Sequence, residues 1–200
     1  MYVAFLAGGI ASGKSSVARI LEDLGCVRID LDQMSREVLG PHSPCTAALA
    51  EAFGHDILDE GTGMLDRALL AERAFATPAA AELIEAIELP PIKERLIERL
   101  DGLADREGIA VVEVPLLDRL DDMLVRADEI VYVHVPRELR RERARSRGMS
   151  GEDFDARDGR QPSEGYLFSR ADTILDNSGT PAELADAVLA WWRRRARCIG

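Results

Sequence analysis

Apolar runs of four to seven residues recur along the chain, separated by stretches in which apolar residues follow helical spacing. Near-continuous apolar runs are typical of strands that are buried on both faces of a parallel sheet. The helical stretches between them supply the layers that cover such a sheet. The pattern therefore predicts an α/β fold with a five-stranded parallel sheet, whose strands lie at residues 2–7, 26–29, 109–114, 129–135 and 173–176.

Residues 41–105 interrupt this alternation. Five prolines punctuate segments rich in Ala, Leu and Glu that have helical periodicity, and no convincing strand is found among them. The segment is far longer than a simple crossover between strands, so we predict a helical insertion that covers the mouth of a binding site. The predicted organisation is a core of residues 1–40, 106–145 and 171–200, this insertion, and a lid at residues 146–170, in which the polar stretch 148–165 resembles a mobile flap.

The first strand leads directly into the spacing G-x-x-x-x-G-K-[ST], which here runs from Gly8 to Ser15 and opens a helix. Glycines let the backbone curl around an anion, and the helix N-terminus adds positive potential. Lys14 is expected to reach the β- and γ-phosphates, and the Ser15 hydroxyl is expected to bind Mg²⁺. The strand–loop–helix order predicts a site for a nucleoside triphosphate with Mg²⁺.

Two carboxylates, Asp30 and Asp32, follow the second strand, at the edge where open α/β sheets bind ligands. They would share one face if the strand continued. One of them could instead cap the next helix, and the sequence leaves open which of the two contacts a metal. Asp66 and Arg67 pose a similar choice between a substrate contact and a surface cap with an ion pair.

Arginine is concentrated between residues 137 and 147, where Arg140, Arg143 and Arg147 repeat at helical spacing. A solvated helix face is the ordinary explanation, but an acidic protein that clusters arginine after a strand favours a phosphate-facing role. The arginines near the C-terminus, by contrast, are expected to solvate a helix end.

Composition narrows the function further. The 200 residues carry a formal net charge of −11, which argues against a nucleic-acid partner. No apolar run is long enough for a membrane span, and no secretory leader is recognisable, so we expect a soluble cytoplasmic protein. Cys26, Cys45 and Cys198 lack metal-type spacing and are expected to be reduced thiols. The oligomeric state is expected to be a monomer or a weak homo-oligomer.

The ordered motifs resemble those of the dephospho-CoA kinases, over almost the whole chain. The shared pieces are the phosphate loop, Ile29-Asp30-Leu31-Asp32 with Arg36, Leu65-Asp66-Arg67, Pro115-Leu116-Leu117, Arg143 with Arg147, Arg157 with Gln161, and Ala171-Asp172 before Asn177. The resemblance implies a P-loop kinase core with a helical acceptor-binding insertion and a lid. It also implies transfer of the γ-phosphoryl of ATP to the ribose 3′-hydroxyl of dephospho-CoA, the last step of coenzyme A synthesis.

The resemblance assigns site residues as well. Asp32 is the implied base, with Lys14 and Arg147 as the other catalytic residues, and Ser15 and Asp32 as metal ligands. Asn177 lies where the family contacts the adenine end. The nucleotide is implied to contact Gly8, Gly9, Ile10, Ala11, Ser12, Gly13, Lys14, Ser15, Ser16, Arg143, Arg147 and Asn177. The acceptor is implied to contact Asp30, Asp32, Arg36, Asp66, Arg67, Pro115, Leu116, Leu117, Arg157 and Gln161.

Some positions depart from the family pattern, all on the acceptor side: Leu89, Asp118 and Arg119 replace the usual residues, and the lid segment 162–166 lacks the basic residue often found near position 165. They keep open a kinase for another nucleoside or nucleotide. From a different class, a nucleotide-dependent switch without phosphoryl transfer is also compatible with the loop. The chain has no N-K-x-D sequence for reading guanine, and its carboxylate pair and arginine-bearing lid favour a transferase.

Overall fold

The computed structural model describes residues 1–199, with side chains described as far as Arg197. The chain forms two compact units: residues 1–30 together with the chain from Leu103 onward, and residues 31–102. The second unit thus begins at Leu31, so its first helix, residues 31–38, groups with the helical segment. Among the described residues, no helix is both long and apolar enough to cross a membrane.

The first unit contains five parallel strands in the order β2-β3-β1-β4-β5, which confirms the predicted sheet. Its strands are β1 (Tyr2–Ala7), β2 (Val27–Asp30), β3 (Ile109–Glu113), β4 (Glu129–His134) and β5 (Thr173–Asp176). Its helices are α1 (Lys14–Asp23), α6 (Arg137–Ser146), α7 (Gly151–Asp158), α8 (Glu164–Arg170) and α9 (Pro181–Ile199), with 3₁₀ turns in Leu117–Arg126.

Both faces of this sheet are covered, as the near-continuous apolar strands require. On one face, Leu6 and Val111 pack with Val17 and Leu21 of α1 and with Trp191 of α9. On the other face, Phe5 and Val112 are fully buried as well. The β1 strand is central, so the chain segment that leaves its carboxyl end lies in the middle of the sheet edge.

A buried polar cluster joins α9 to the opposite, amino-terminal edge of the sheet. Glu129, the first residue of β4, is 2% exposed and accepts two hydrogen bonds from Arg195, at 2.6 and 2.5 Å. Tyr2, Thr173 and Trp191 donate to the same carboxylate. The expectation that the C-terminal arginines only solvate a helix end is therefore wrong for Arg195, because a buried glutamate needs a charged partner.

The second unit is helical, with α2 (Leu31–Val38), α3 (Pro44–Phe53), α4 (Arg67–Ala74) and α5 (Pro78–Asp101) around a core that includes Leu49, Ile57 and Leu70. Pro90 and Pro91 lie inside α5 and do not end it, contrary to their reading as punctuation. A proline removes helical hydrogen bonds, but Ile84, Ile92 and Leu96 bury the helix on both sides of the pair.

Residues 146–170, the predicted lid, are mostly helical, and the mobility expected for residues 148–165 stays a prediction. Ser150 caps α7 and Ser163 caps α8, each accepting a backbone N–H three residues on. The α7 helix is held to α6 through Phe154, which is buried, and through ion pairs of Asp155 and Asp158 with arginines of α6. Cys26 and Cys45 are free buried thiols, whereas the side chain of Cys198 lies outside the described residues.

Candidate active site

The loop between β1 and α1 has the backbone geometry of an anion-binding loop. Gly13 has φ 95°, and Ala11 adopts φ 59°, which is left-handed and uncommon for a residue with a side chain. A Cβ atom at Gly13 would overlap the amide nitrogen of Asn177, and one at Gly8 would lie 2.7 Å from the Val133 carbonyl oxygen. The glycines are therefore required for close approach as well as for curvature.

Lys14 begins α1, at the end of that helix where the first backbone N–H groups lack helical carbonyl partners. Its ammonium donates to the carbonyl oxygens of Gly8 and Gly9. The Ser12 hydroxyl is buried, and its oxygen has no hydrogen-bond partner among the described residues. The loop thus combines a cation, a helix N-terminus and an unsatisfied hydroxyl, which together suit a polyphosphate.

Asn177 holds this loop in place from the end of β5. Its side-chain amide is buried and donates to the Ser12 carbonyl oxygen at 2.8 Å, while its backbone N–H donates to the carbonyl of His134 at 2.9 Å. The observed contact of Asn177 is therefore with the loop backbone, and a contact with adenine stays a prediction.

The segment after α7 also meets the loop. The Gln161 side-chain oxygen accepts the backbone N–H of Ile10 at 2.5 Å. The Arg140 guanidinium lies against Gly9, donates to the Ile10 carbonyl at 3.4 Å, and pairs with Asp158 at 2.6 Å. Gln161, expected on the acceptor side, here touches the nucleotide loop. The arginine spacing pointed to Arg140 as well, whereas the family motif pointed to Arg143 and Arg147.

The other predicted arginines have different surroundings. Arg143 is half-buried in the last turn of α6, Arg147 is exposed at the C-cap of that helix, and Arg157 is exposed in the last turn of α7. Their contacts with a nucleotide or an acceptor stay predictions. Pro115, Leu116 and Leu117 follow β3 in the first unit; Leu117 is buried, whereas Pro115 and Leu116 are partly exposed.

Asp30 and Asp32 do not share a strand face, because β2 ends at Asp30 and α2 begins at Leu31. Asp30 ends β2 directly opposite Glu113 of β3. Asp32 is exposed in the first turn of α2, where an acidic residue is favourable near a helix N-terminus. Glu113, the buried last residue of β3, was not among the predicted site residues.

The remaining acceptor candidates belong to the helical unit. The Asp66 carboxylate accepts the backbone N–H groups of Ala68 and Leu69, both at 3.0 Å, so it is the N-cap of α4. Arg67 and Arg36 are exposed. A cap does not preclude a substrate contact, because a carboxylate has further lone pairs; the contacts of these residues with an acceptor stay predictions.

The oxygen donors suit Mg²⁺ bound chiefly by nucleotide phosphates. Ser15 in the first turn of α1 offers an exposed hydroxyl, and Asp32 offers an exposed carboxylate. Within residues whose side chains are described, no group of three or more His, Cys, Asp or Glu residues could hold a metal by itself. Mg²⁺ commonly uses one or two protein oxygens plus phosphates and waters, so each of these oxygens is a donor of a suitable kind, and its contact with Mg²⁺ stays a prediction.

A parallel sheet of this order, with a glycine-rich phosphate loop at the carboxyl end of its central strand, defines a P-loop nucleotide-binding protein. The family model for dephospho-CoA kinase matches residues 2–183. The chain belongs to the dephospho-CoA kinase family.

Curated relatives agree with this assignment, and solved structures agree with the fold. A dephospho-CoA kinase of Corynebacterium jeikeium is 38% identical over 94% of this chain and 96% of its own length. A dephospho-CoA kinase of Geobacter sulfurreducens is 36% identical over 98% of this chain and 99% of its own length. The crystal structure of TT1252 from Thermus thermophilus has a TM-score of 0.81 at 27% identity, covering 97% of each chain. The fold also matches a dephospho-CoA kinase of Campylobacter jejuni, with a TM-score of 0.68 at 22% identity, over 98% of this chain and 97% of that one.

Proposed function

We propose that this protein transfers the γ-phosphoryl group of ATP to the 3′-hydroxyl of the ribose of dephospho-CoA, which yields coenzyme A and ADP. The observation that supports this most directly is the phosphate loop with Lys14 at its helix end, held by Asn177, in a chain of the dephospho-CoA kinase family. We further propose that the protein works in the cytoplasm as a monomer or a weak homo-oligomer.

In the proposed reaction, the loop amides and Lys14 hold the β- and γ-phosphates of ATP. Asp32 takes the proton of the acceptor hydroxyl while that oxygen attacks the γ-phosphorus and the bond to ADP breaks. Bound Mg²⁺, held by Ser15, Asp32 and the phosphates, would neutralise charge that develops on the phosphoryl oxygens. A positioned base contributes about 10²–10⁴-fold, so Asp32→Asn should lower kcat within that range.

Arg147, Arg143 and Arg140 are the proposed cationic groups of the lid side. Arg140 already lies against the loop, so it would approach the phosphates once its contact with Asp158 is exchanged. Gln161 accepts the Ile10 amide, which a phosphate oxygen could replace. Closure of this segment would exclude water, the competing acceptor for the phosphoryl group.

The test is an acceptor assay with the purified full chain, Mg²⁺ and ATP. ADP formation is followed with dephospho-CoA, with nucleosides and with nucleotides, and the phosphorylated position of the product is read by NMR. Transfer to the 3′-hydroxyl of dephospho-CoA is expected, lost in Lys14→Ala and retained in Lys93→Ala, which removes the only other lysine. Transfer only to another acceptor, or to none, would contradict the proposal.

A further inference from the structure

Glu113 occupies a central place at the carboxyl edge of the sheet. It is the last residue of β3, is 5% exposed, and lies between Leu6 of β1 and Asp30 of β2. The β1 strand ends one residue after Leu6, and the phosphate loop follows. Glu113 therefore stands beside the strand that carries the loop.

The same register places these carboxylates on the α1 side of the sheet. Leu6 packs with Val17 and Leu21 of α1, and its cross-strand partners point to the same face. Neighbouring side chains on adjacent strands lie roughly 5 Å apart at Cβ, so Asp30 and Glu113 would repel each other if nothing balanced their charges.

The guanidinium of Arg28 balances the negative charges of Asp30 and Glu113. Arg28 lies two residues before Asp30 on β2, and its Nε and Nη2 atoms lie 2.7 and 2.6 Å from Glu113 Oε1. Its Nη2 atom is also 3.7 Å from Asp30 Oδ2, and its Nη1 atom is 3.5 Å from Glu22 of α1. Burial lowers the pKa of Arg28, but the hydrogen bond and charge of Glu113 outweigh this effect and leave that pKa above its usual value.

We propose that Arg28 is a positioning residue for phosphoryl transfer, acting through Glu113 and Asp30 to fix the carboxyl edge of β2 and β3 beside the phosphate loop. It does not touch ATP or the acceptor in this scheme. Its effect is to hold the end of β2, from which the chain reaches Asp32 two residues later. Losing such an orienting partner typically lowers activity by about 10–100-fold. This inference rests on the proposed function for its assay.

The expected result separates kcat from KM. In Arg28→Met, kcat falls by about 10–100-fold, while the KM for ATP changes by less than about threefold because the loop and Lys14 are untouched. Arg28→Lys recovers part of the kcat, since an ammonium can still pair with Glu113 but not fork between two carboxylates.

Arg28→Met leaves Glu113 buried and unpaired, so it can also destabilise the fold. The double variant Arg28→Met/Glu113→Gln removes both charges of the pair, and we expect it to fold with kcat still low. The matched control is Arg195→Met/Glu129→Gln, the same chemical change at the opposite edge of the sheet. It should lower the unfolding midpoint and leave kcat at 25 °C near that of the parent.

A folded Arg28 double variant with kcat within twofold of the parent would overturn the inference and leave the proposed function standing. If the parent phosphorylates an acceptor other than dephospho-CoA, the proposed function fails, and the same variants measured with that acceptor decide the role of Arg28. A parent that phosphorylates no acceptor overturns both.

Discussion

The ion pair between Glu129 and Arg195 should make a measurable part of the stability of this protein depend on pH. Burial raises the pKa of Glu129, but hydrogen bonds from Arg195, Thr173, Tyr2 and Trp191 more than reverse that effect and lower it from 4.5 to about 2. Each pKa unit corresponds to about 1.4 kcal/mol, so the ionised carboxylate contributes about 3 kcal/mol to the free energy of unfolding.

The direction follows from proton binding. Between about pH 4.5 and pH 2 the unfolded chain binds a proton at Glu129 that the folded protein does not. The contribution is therefore complete above pH 4.5 and is lost as the pH falls toward 2, with about 2 kcal/mol gone by roughly pH 3. Because other carboxylates titrate in the same window, a comparison with Glu129→Gln is needed to isolate this one.

Urea unfolding of the parent and of Glu129→Gln at pH 7, 5, 4 and 3 measures the effect. The parent should be more stable at pH 7, and its advantage should shrink by about 2 kcal/mol by pH 3, because a protonated glutamate resembles glutamine. Glu82→Gln, the same change at an exposed position of α5, should change stability by less than about 0.5 kcal/mol at each pH. A parent-to-variant difference that stays constant from pH 7 to pH 3 would refute the depressed pKa.

Three further changes probe the phosphate loop, the helical unit and helix α7. Asn177→Ala removes the hydrogen bond to the Ser12 carbonyl, so the KM for ATP should rise about tenfold. Ser178→Ala is the control at the neighbouring position. An unchanged KM in Asn177→Ala would show that the loop holds its shape without Asn177. Asp66→Ala removes the N-cap of α4 and should lower the free energy of unfolding by about 1 kcal/mol, and Asp66→Asn should restore most of this loss. Equal stability of the parent, Asp66→Ala and Asp66→Asn would contradict the capping role. Asp158→Asn weakens the ion pairs with Arg137 and Arg140, so amide hydrogen exchange in α7 should be faster than in the parent, while exchange in α9 should not change. Exchange in α7 at the parent's rate would mean that these ion pairs do not hold α7.

Several features of the site and of the fold depend on contacts between residues far apart in the sequence. Gln161 and Ile10 are separated by 151 positions, and Glu129 and Arg195 by 66. No local pattern specifies such pairs, because both partners are compatible with solvent-exposed positions until the sheet brings them together. The arginine spacing included Arg140, but only the tertiary structure shows that Arg140 is the residue against the loop.

Features that depend on neighbouring residues, by contrast, could be predicted directly from the sequence. Apolar runs predicted the parallel strands because a sheet covered on both faces needs them, and glycine spacing predicted the loop because only glycine permits its curvature and close packing. Asp66 before a helical run left a cap as one of two readings, and the cap is formed. Where tertiary packing competes with a local rule, the packing prevails: α5 continues through Pro90 and Pro91, with buried Ile84, Ile92 and Leu96 on both sides of the pair.

The amino-acid sequence by itself determined the positions of the strands along the chain, the phosphate loop and the family, since all of these depend on neighbouring residues and their spacing. Only the tertiary structure decided which charged groups are paired, at Glu113 with Arg28 and at Glu129 with Arg195, and what supports the loop. The physical reason is that burial makes an unpaired charge costly, and which side chains are buried together is a property of the whole fold.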